Sequence, residues 1–159
     1  MLHKSEYKFL LLVANHKQFT SGAFNSVVSF FMLKKISLVI LIVGYIAAGI
    51  NHFVHPEGYI DIIPYYLPNP IILNYLAGIA EIVFGAMLIF PATRNWGALL
   101  LIFLLGAFLT VHIYMLQMAP LWVGGLFVTP LIAWIRLFLQ PVLMLWLAWH
   151  MNTKHQNAA

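Results

Sequence analysis

Four long apolar runs, separated by short polar or Pro-rich breaks, organise this chain. They cover about 36–53, 71–90, 96–118 and 130–150. A helix needs about 20 apolar residues to cross the hydrocarbon of a bilayer. The first run is near the short limit and the other three are comfortable. No alternating pattern of about ten residues appears, which argues against spanning strands. Backbone groups in lipid must be satisfied within the segment, so each run predicts a helix.

The breaks have their own chemistry. Residues 56–70 read PEGYIDIIPYYLPNP, and Pro64, Pro68 and Pro70 cannot continue a helix. Tyr59, Tyr65 and Tyr66 in that loop suit a membrane interface. PATRN at 91–95 predicts a tight turn. The third break, APLWVGGLFVTP at 119–130, is uncharged and is expected at the interface or folded back on the bundle. Pro141 predicts a kink in the last helix. Trp96, Trp122 and Trp149 stand near helix ends and read as interfacial anchors.

The expected fold is therefore all-α, an integral membrane four-helix bundle in up-down-up-down order. Lys34, Lys35, Arg94 and Lys154 fall on one side, while the two loops on the other side carry only Glu57 and Asp61. The positive-inside rule then places both termini in the cytoplasm. Residues 1–31 are mixed in character and are expected to be an extension, partly disordered or surface-lying, or the product of a start set upstream of Met32. The bundle proper is 32–152, and 153–159 is a tail.

Composition sharpens this picture. Hydrophobic residues make up 63% of the chain and charged residues 8%, against about 25% charged in average soluble domains. A soluble hydrolase is excluded. Cys is absent, which removes thiolate, CxxC and Cys-ligated cluster chemistry. The scattered Lys and Arg argue against nucleic-acid binding.

Two charges stand inside apolar runs: Glu81 and Arg136. An ionisable group there costs at least about 2.5–3.5 kcal/mol, so it faces the interior, has a partner and marks a site. By depth a Glu81–Arg136 pair is expected, either as a staple that fixes register or as a ligand or proton site. Asn51, His52, His112, Tyr114 and Gln140 fall in the same half of the bundle, and these seven residues form the candidate ligand-binding set. Asn74, Gly78, Glu81 and Gly85 follow spacings of four, three and four and share one face. Gly44 and Ala48 are expected to give the first helix a similar close-packing face. His52-x-x-His55-x-Glu57 is spaced too loosely to assign a metal site, and none is predicted. His150 and His155 are expected in solvent.

The stretch from Leu33 to His150 resembles the small four-helix DoxX-like membrane proteins. The resemblance is carried by GINHF at 49–53, IPYYLPNP at 63–70 and GIAEIVFG at 78–85. PATR at 91–94, HIYM at 112–115 and WIRL at 134–137 with Gln140 complete it. His112 and Phe138 depart from the family pattern, where Asn and Pro are usual. The resemblance implies an accessory to a quinone-linked redox or oxidative-stress system in the bacterial cytoplasmic membrane. The leading expectation is a binding protein that holds a quinone, a lipid or a partner helix at the polar pocket, and is not an enzyme by itself. The expected partners are membrane lipids and either a membrane redox complex or further copies of the chain. One alternative is an oxidoreductase subunit with quinol chemistry, or with a haem held by His52 and His112. Another is a small transporter.

Overall fold

A computed structural model describes the backbone of residues 4–151 and the side chains of residues 28–151. The chain divides into two units, 1–37 and 38–159. Helix α1 spans Lys4–Val54, so the backbone of the expected extension is helical from Lys4 onward. The tail at 153–159, with Lys154 and His155, lies outside the described residues.

The other elements are α2 (Glu57–Ile60), α3 (Pro70–Met87), α4 (Arg94–Met118), β1 (Leu121–Val123), β2 (Leu126–Val128) and α5 (Pro130–His150). Among the described residues, four segments are long and apolar enough to cross a membrane: Val28–Val54, Pro70–Met87, Arg94–Met118 and Pro130–His150. The mostly helical architecture agrees with the all-α expectation, with one addition. The third break is a two-residue β-hairpin that pairs Leu121 with Val128 and Val123 with Leu126. Gly124 and Gly125 form its turn at φ +52° and +82°, where both central residues need the left-handed region. Val123 and Val128 point inward against Ile62, Met115 and Ala133.

That small cluster closes one end of the second unit. The larger core closes the other, with Leu41, Tyr45, Leu88, Ala98, Leu101, Leu105 and Leu147. Helix α3 ends at Met87 because the following turn takes over its last carbonyls. Thr93 Oγ1 donates to the Met87 carbonyl at 2.8 Å, and Arg94 Nε donates to the Leu88 carbonyl at 3.0 Å. Helix α5 starts after Thr129, whose hydroxyl accepts from the Ile132 N–H, and runs through Pro141. His150, expected in solvent, is 3% exposed at the end of α5.

The buried residues of α3 are Asn74, Gly78, Glu81 and Gly85, the face expected from their spacing. Among the described side chains of α1 the buried set is Leu41, Tyr45, Gly49 and His52. A methyl at Gly49 would sit 2.7 Å from the Gly78 carbonyl oxygen, and one at Gly78 would sit 2.7 Å from His52 Cβ. The close approach of α1 to α3 is therefore made by Gly49, not by Gly44. Gly44 has open space where its side chain would be. This contact brings the polar residues of the two helices into register.

Candidate functional site

Between the two apolar clusters lies a cavity of about 700 Å³. That is within the usual range of about 300–1,000 Å³ for small-molecule sites. Its walls are mostly apolar, including Ile40, Leu41, Leu76, Leu104, Leu105, Phe108 and Leu143. The 57–67 loop folds over it through Tyr59, Ile62, Ile63 and Leu67. Its polar lining comes from Tyr45, His52, Asn74 and Glu81 on α1 and α3, and from His112, Arg136 and Gln140 on α4 and α5.

On the first wall, Asn74 Nδ2 donates to the backbone carbonyl of His52 at 2.9 Å. Its Oδ1 therefore faces His52 Nδ1, 2.7 Å away, and Nδ1 carries the proton. His52 Nε2 is turned to Glu81 Oε2 at 3.5 Å. A lone pair facing a carboxylate is repulsive, so the pair holds a proton, as imidazolium–carboxylate or as imidazole–carboxylic acid. Tyr59 stacks on the His52 ring with centroids 3.7 Å apart. Asn51 Nδ2 donates to Tyr59 Oη at 2.8 Å and holds that ring over the imidazole.

The second wall is built by the same logic. His112 Nδ1–H donates to the Phe108 carbonyl at 2.8 Å, one turn back on α4. Its Nε2 is then an acceptor, and Gln140 Nε2 lies against the ring, 3.2 Å from Nδ1 and 3.3 Å from Nε2. Gln140 therefore turns its amide nitrogen to the ring and leaves Oε1 free.

Three buried oxygens among the described residues have no hydrogen-bond partner: Tyr45 Oη, Glu81 Oε2 and Gln140 Oε1. All three residues line the cavity and are at least nine-tenths buried. An unsatisfied buried polar atom costs about 1–3 kcal/mol. Three such atoms belong to residues that wall one cavity.

The expected Glu81–Arg136 ion pair is not formed. Glu81 faces His52, and among the described residues Arg136 meets no carboxylate within 4 Å. The reason is register: Glu81 lies eleven residues into α3 and Arg136 six into α5. At 1.5 Å per residue this offset is about 7–8 Å along the bundle. Arg136 nonetheless lines the same cavity, as do His52, Glu81, His112 and Gln140. Asn51 acts on the cavity through Tyr59. Tyr114 stands apart, with its ring edge-on to Tyr65. Tyr45 and Tyr59 belong to the site but escape the sequence reading, and Asn74, expected on the Glu81 face, stands outside the predicted ligand-binding set. For Tyr45 the signal was present, since positions 41, 45, 49 and 52 repeat the spacing of the polar face on α3.

His52 is buried, while His55 and Glu57 are exposed, so these three do not converge. Among the described residues no group of three His, Cys, Asp or Glu side chains could hold a metal ion. Both ring nitrogens of His52 are directed at Asn74 and Glu81, an arrangement that does not fit axial haem ligation with His112.

A family model matches residues 41–152, more than two thirds of the chain. The chain belongs to the family described as Domain of unknown function (DUF8561). Every polar residue of the cavity, from Tyr45 to Gln140, lies inside the DUF8561 match. The match carries no link to the DoxX-like proteins. No curated protein and no solved structure matches the chain.

Proposed function

We propose that this DUF8561 protein is a multi-pass membrane protein that binds the polar head of an amphipathic molecule in its central cavity. The bundle is apolar outside and polar inside. Ile72, Ile79, Val83, Phe103, Ile135 and Leu145 are exposed, while His52, Asn74, Glu81 and Gln140 are buried. That distribution suits lipid as the solvent. The positive-inside rule supports cytoplasmic termini and an outward-facing 56–70 loop. The observation that carries the binding role is the cavity itself, apolar along most of its wall and bordered by three residues that each hold a buried oxygen without a hydrogen bond. Such a site takes a ligand that is apolar over most of its surface and polar at one end.

A quinone or a lipid has that form. The DoxX-like motifs favour an accessory role beside a redox or oxidative-stress system, in the bacterial cytoplasmic membrane. Glu81 and His52 would orient the head or exchange its proton, and Arg136 would hold an oxygen. The test is native mass spectrometry of protein purified in mild detergent, with and without added quinones and phospholipids. A bound molecule is expected in the natural chain. It should be lost in Gly44→Phe, which fills the cavity from a position with open space around it. If no amphiphile binds or stabilises the natural protein, the reading is wrong.

A further inference from the structure

The two walls of the cavity ask for different chemistry. Glu81 Oε2 and Gln140 Oε1, each in a side chain only 5% exposed, are acceptors, and the Tyr45 hydroxyl accepts as well as donates. Among the described residues Tyr45 Oη and Gln140 Oε1 have no hydrogen-bond partner and Glu81 Oε2 has only the 3.5 Å contact with His52, so a head group that brings hydrogen-bond donors suits them. Nearer the loop end, Arg136 offers five N–H groups to the same cavity and meets no carboxylate among the described residues. That side asks for an anionic oxygen group.

We propose that the ligand is a zwitterionic amphiphile with a primary ammonium close to a phosphate, which in a membrane is an ethanolamine phospholipid. This inference rests on the binding role proposed above and adds the identity of the head group. The ammonium carries three donors on one atom and a full positive charge. It answers the Glu81 carboxylate together with the neighbouring oxygens. The phosphate takes the Arg136 guanidinium, with which it forms charge-assisted and often bidentate bonds. The flexible stem of Arg136 spans part of the axial offset from Glu81. With the proton that His52 and Glu81 share released on binding, the neutral head offsets the Glu81 carboxylate and the Arg136 guanidinium together. An oxidised quinone ring brings acceptors only, and a quinol brings two O–H donors but no anionic group for Arg136.

The choline head group supplies the decisive control. It keeps the same charges but has no N–H. A glycerol head group keeps donors, as hydroxyls, and loses the cation. The whole chain in mild detergent is titrated with phospholipids of identical acyl chains and these three heads, and with free phosphoethanolamine. Bound species are read by native mass spectrometry. A buried acceptor left unpaired weakens binding by about tenfold or more, so ethanolamine should exceed choline by at least that factor. Arg136→Gln should weaken all three lipids, and Glu81→Gln should abolish the preference for ethanolamine. Tyr45→Phe removes one unpartnered hydroxyl and is the second variant if Glu81→Gln does not fold. It should narrow the preference several-fold.

Equal binding of choline and ethanolamine lipids would overturn the proposal, as would a preference for glycerol. Either result would leave amphiphile binding standing. Binding of free phosphoethanolamine as tight as that of the lipid would overturn the assignment to a membrane lipid. Absence of binding by every amphiphile would remove the underlying function as well.

Discussion

Two Gly→Ala substitutions on α1, five residues apart, should move stability in opposite directions. At Gly49 the added methyl would lie 2.7 Å from the Gly78 carbonyl oxygen, 2.7 Å from Ile82 Cγ1 and 3.0 Å from Ile82 N. Two of these neighbours are backbone atoms of α3 and cannot rotate away. Ordinary contact begins at 3.4 Å, so the helices must separate by about 0.7 Å. Overpacking of this kind costs about 1–3 kcal/mol. The same shift would stretch the 2.7 Å bond between His52 and Asn74 to the edge of bonding distance, at a further cost of about 1 kcal/mol. Better helix propensity returns about 1 kcal/mol. Gly49→Ala should therefore lose about 1–3 kcal/mol. Gly44 has nothing within 4 Å of the added methyl, so Gly44→Ala should gain up to about 1 kcal/mol from propensity alone. Equilibrium unfolding of both variants in mixed micelles, titrated with a denaturing detergent, measures the difference directly. If the two unfold at the same midpoint, α1 and α3 do not meet at Gly49 and Gly78, and the register of the polar wall described above is wrong.

Two further outcomes are expected. Asn74→Leu leaves His52 Nδ1–H and the His52 carbonyl without their partner in a site where Asn74 is 1% exposed. It should cost about 2–4 kcal/mol in the same titration, and an unchanged midpoint would show that Asn74 does not clamp the imidazole. The chain has no Cys, so single cysteines report orientation cleanly. In intact cells a membrane-impermeant maleimide should label Tyr66→Cys, and should label Ala92→Cys only after lysis; the reverse pattern would invert the proposed topology.

The helices were legible because each is written twice, as an apolar run and as a break of known chemistry. The start of α5 after Thr129 and the stop of α3 before the 91–95 turn both follow from these breaks. The face of α3 was legible because three-four spacing is a geometric property of one helix alone. The partner of Glu81 was not. Pairing Glu81 with Arg136 matched charges by depth, whereas the actual partner depends on how far α1 slides along α3, which Gly49 and Gly78 set by contact. The hairpin was written in VGGLFV, where two glycines stand between alternating apolar residues. A search for spanning strands of about ten residues passes over strands of three. The solvation expected for His150 rested on its place at the end of a run, but the end of a helix is not its surface.

These contacts also bear on why a carboxyl group is buried here at all. A register staple is one explanation for Glu81, and it would have sufficed had Glu81 met Arg136. In the structure α1 and α3 are already fixed by the Gly49–Gly78 approach and by the reciprocal pair between His52 and Asn74. Glu81 adds one contact at 3.5 Å to that arrangement and leaves Oε2 without a hydrogen bond. An apolar residue of similar volume would hold the helices at least as well, since replacing buried ionic groups by packed apolar ones is often neutral or stabilising. The same holds for Gln140, which supports His112 with its amide nitrogen and leaves Oε1 unused. Each wall thus spends its internal bonds on fixing an imidazole and keeps one buried oxygen without a hydrogen bond. Stability accounts for the fixed imidazoles. It leaves the acceptors as the feature for which the proposed ligand is the explanation.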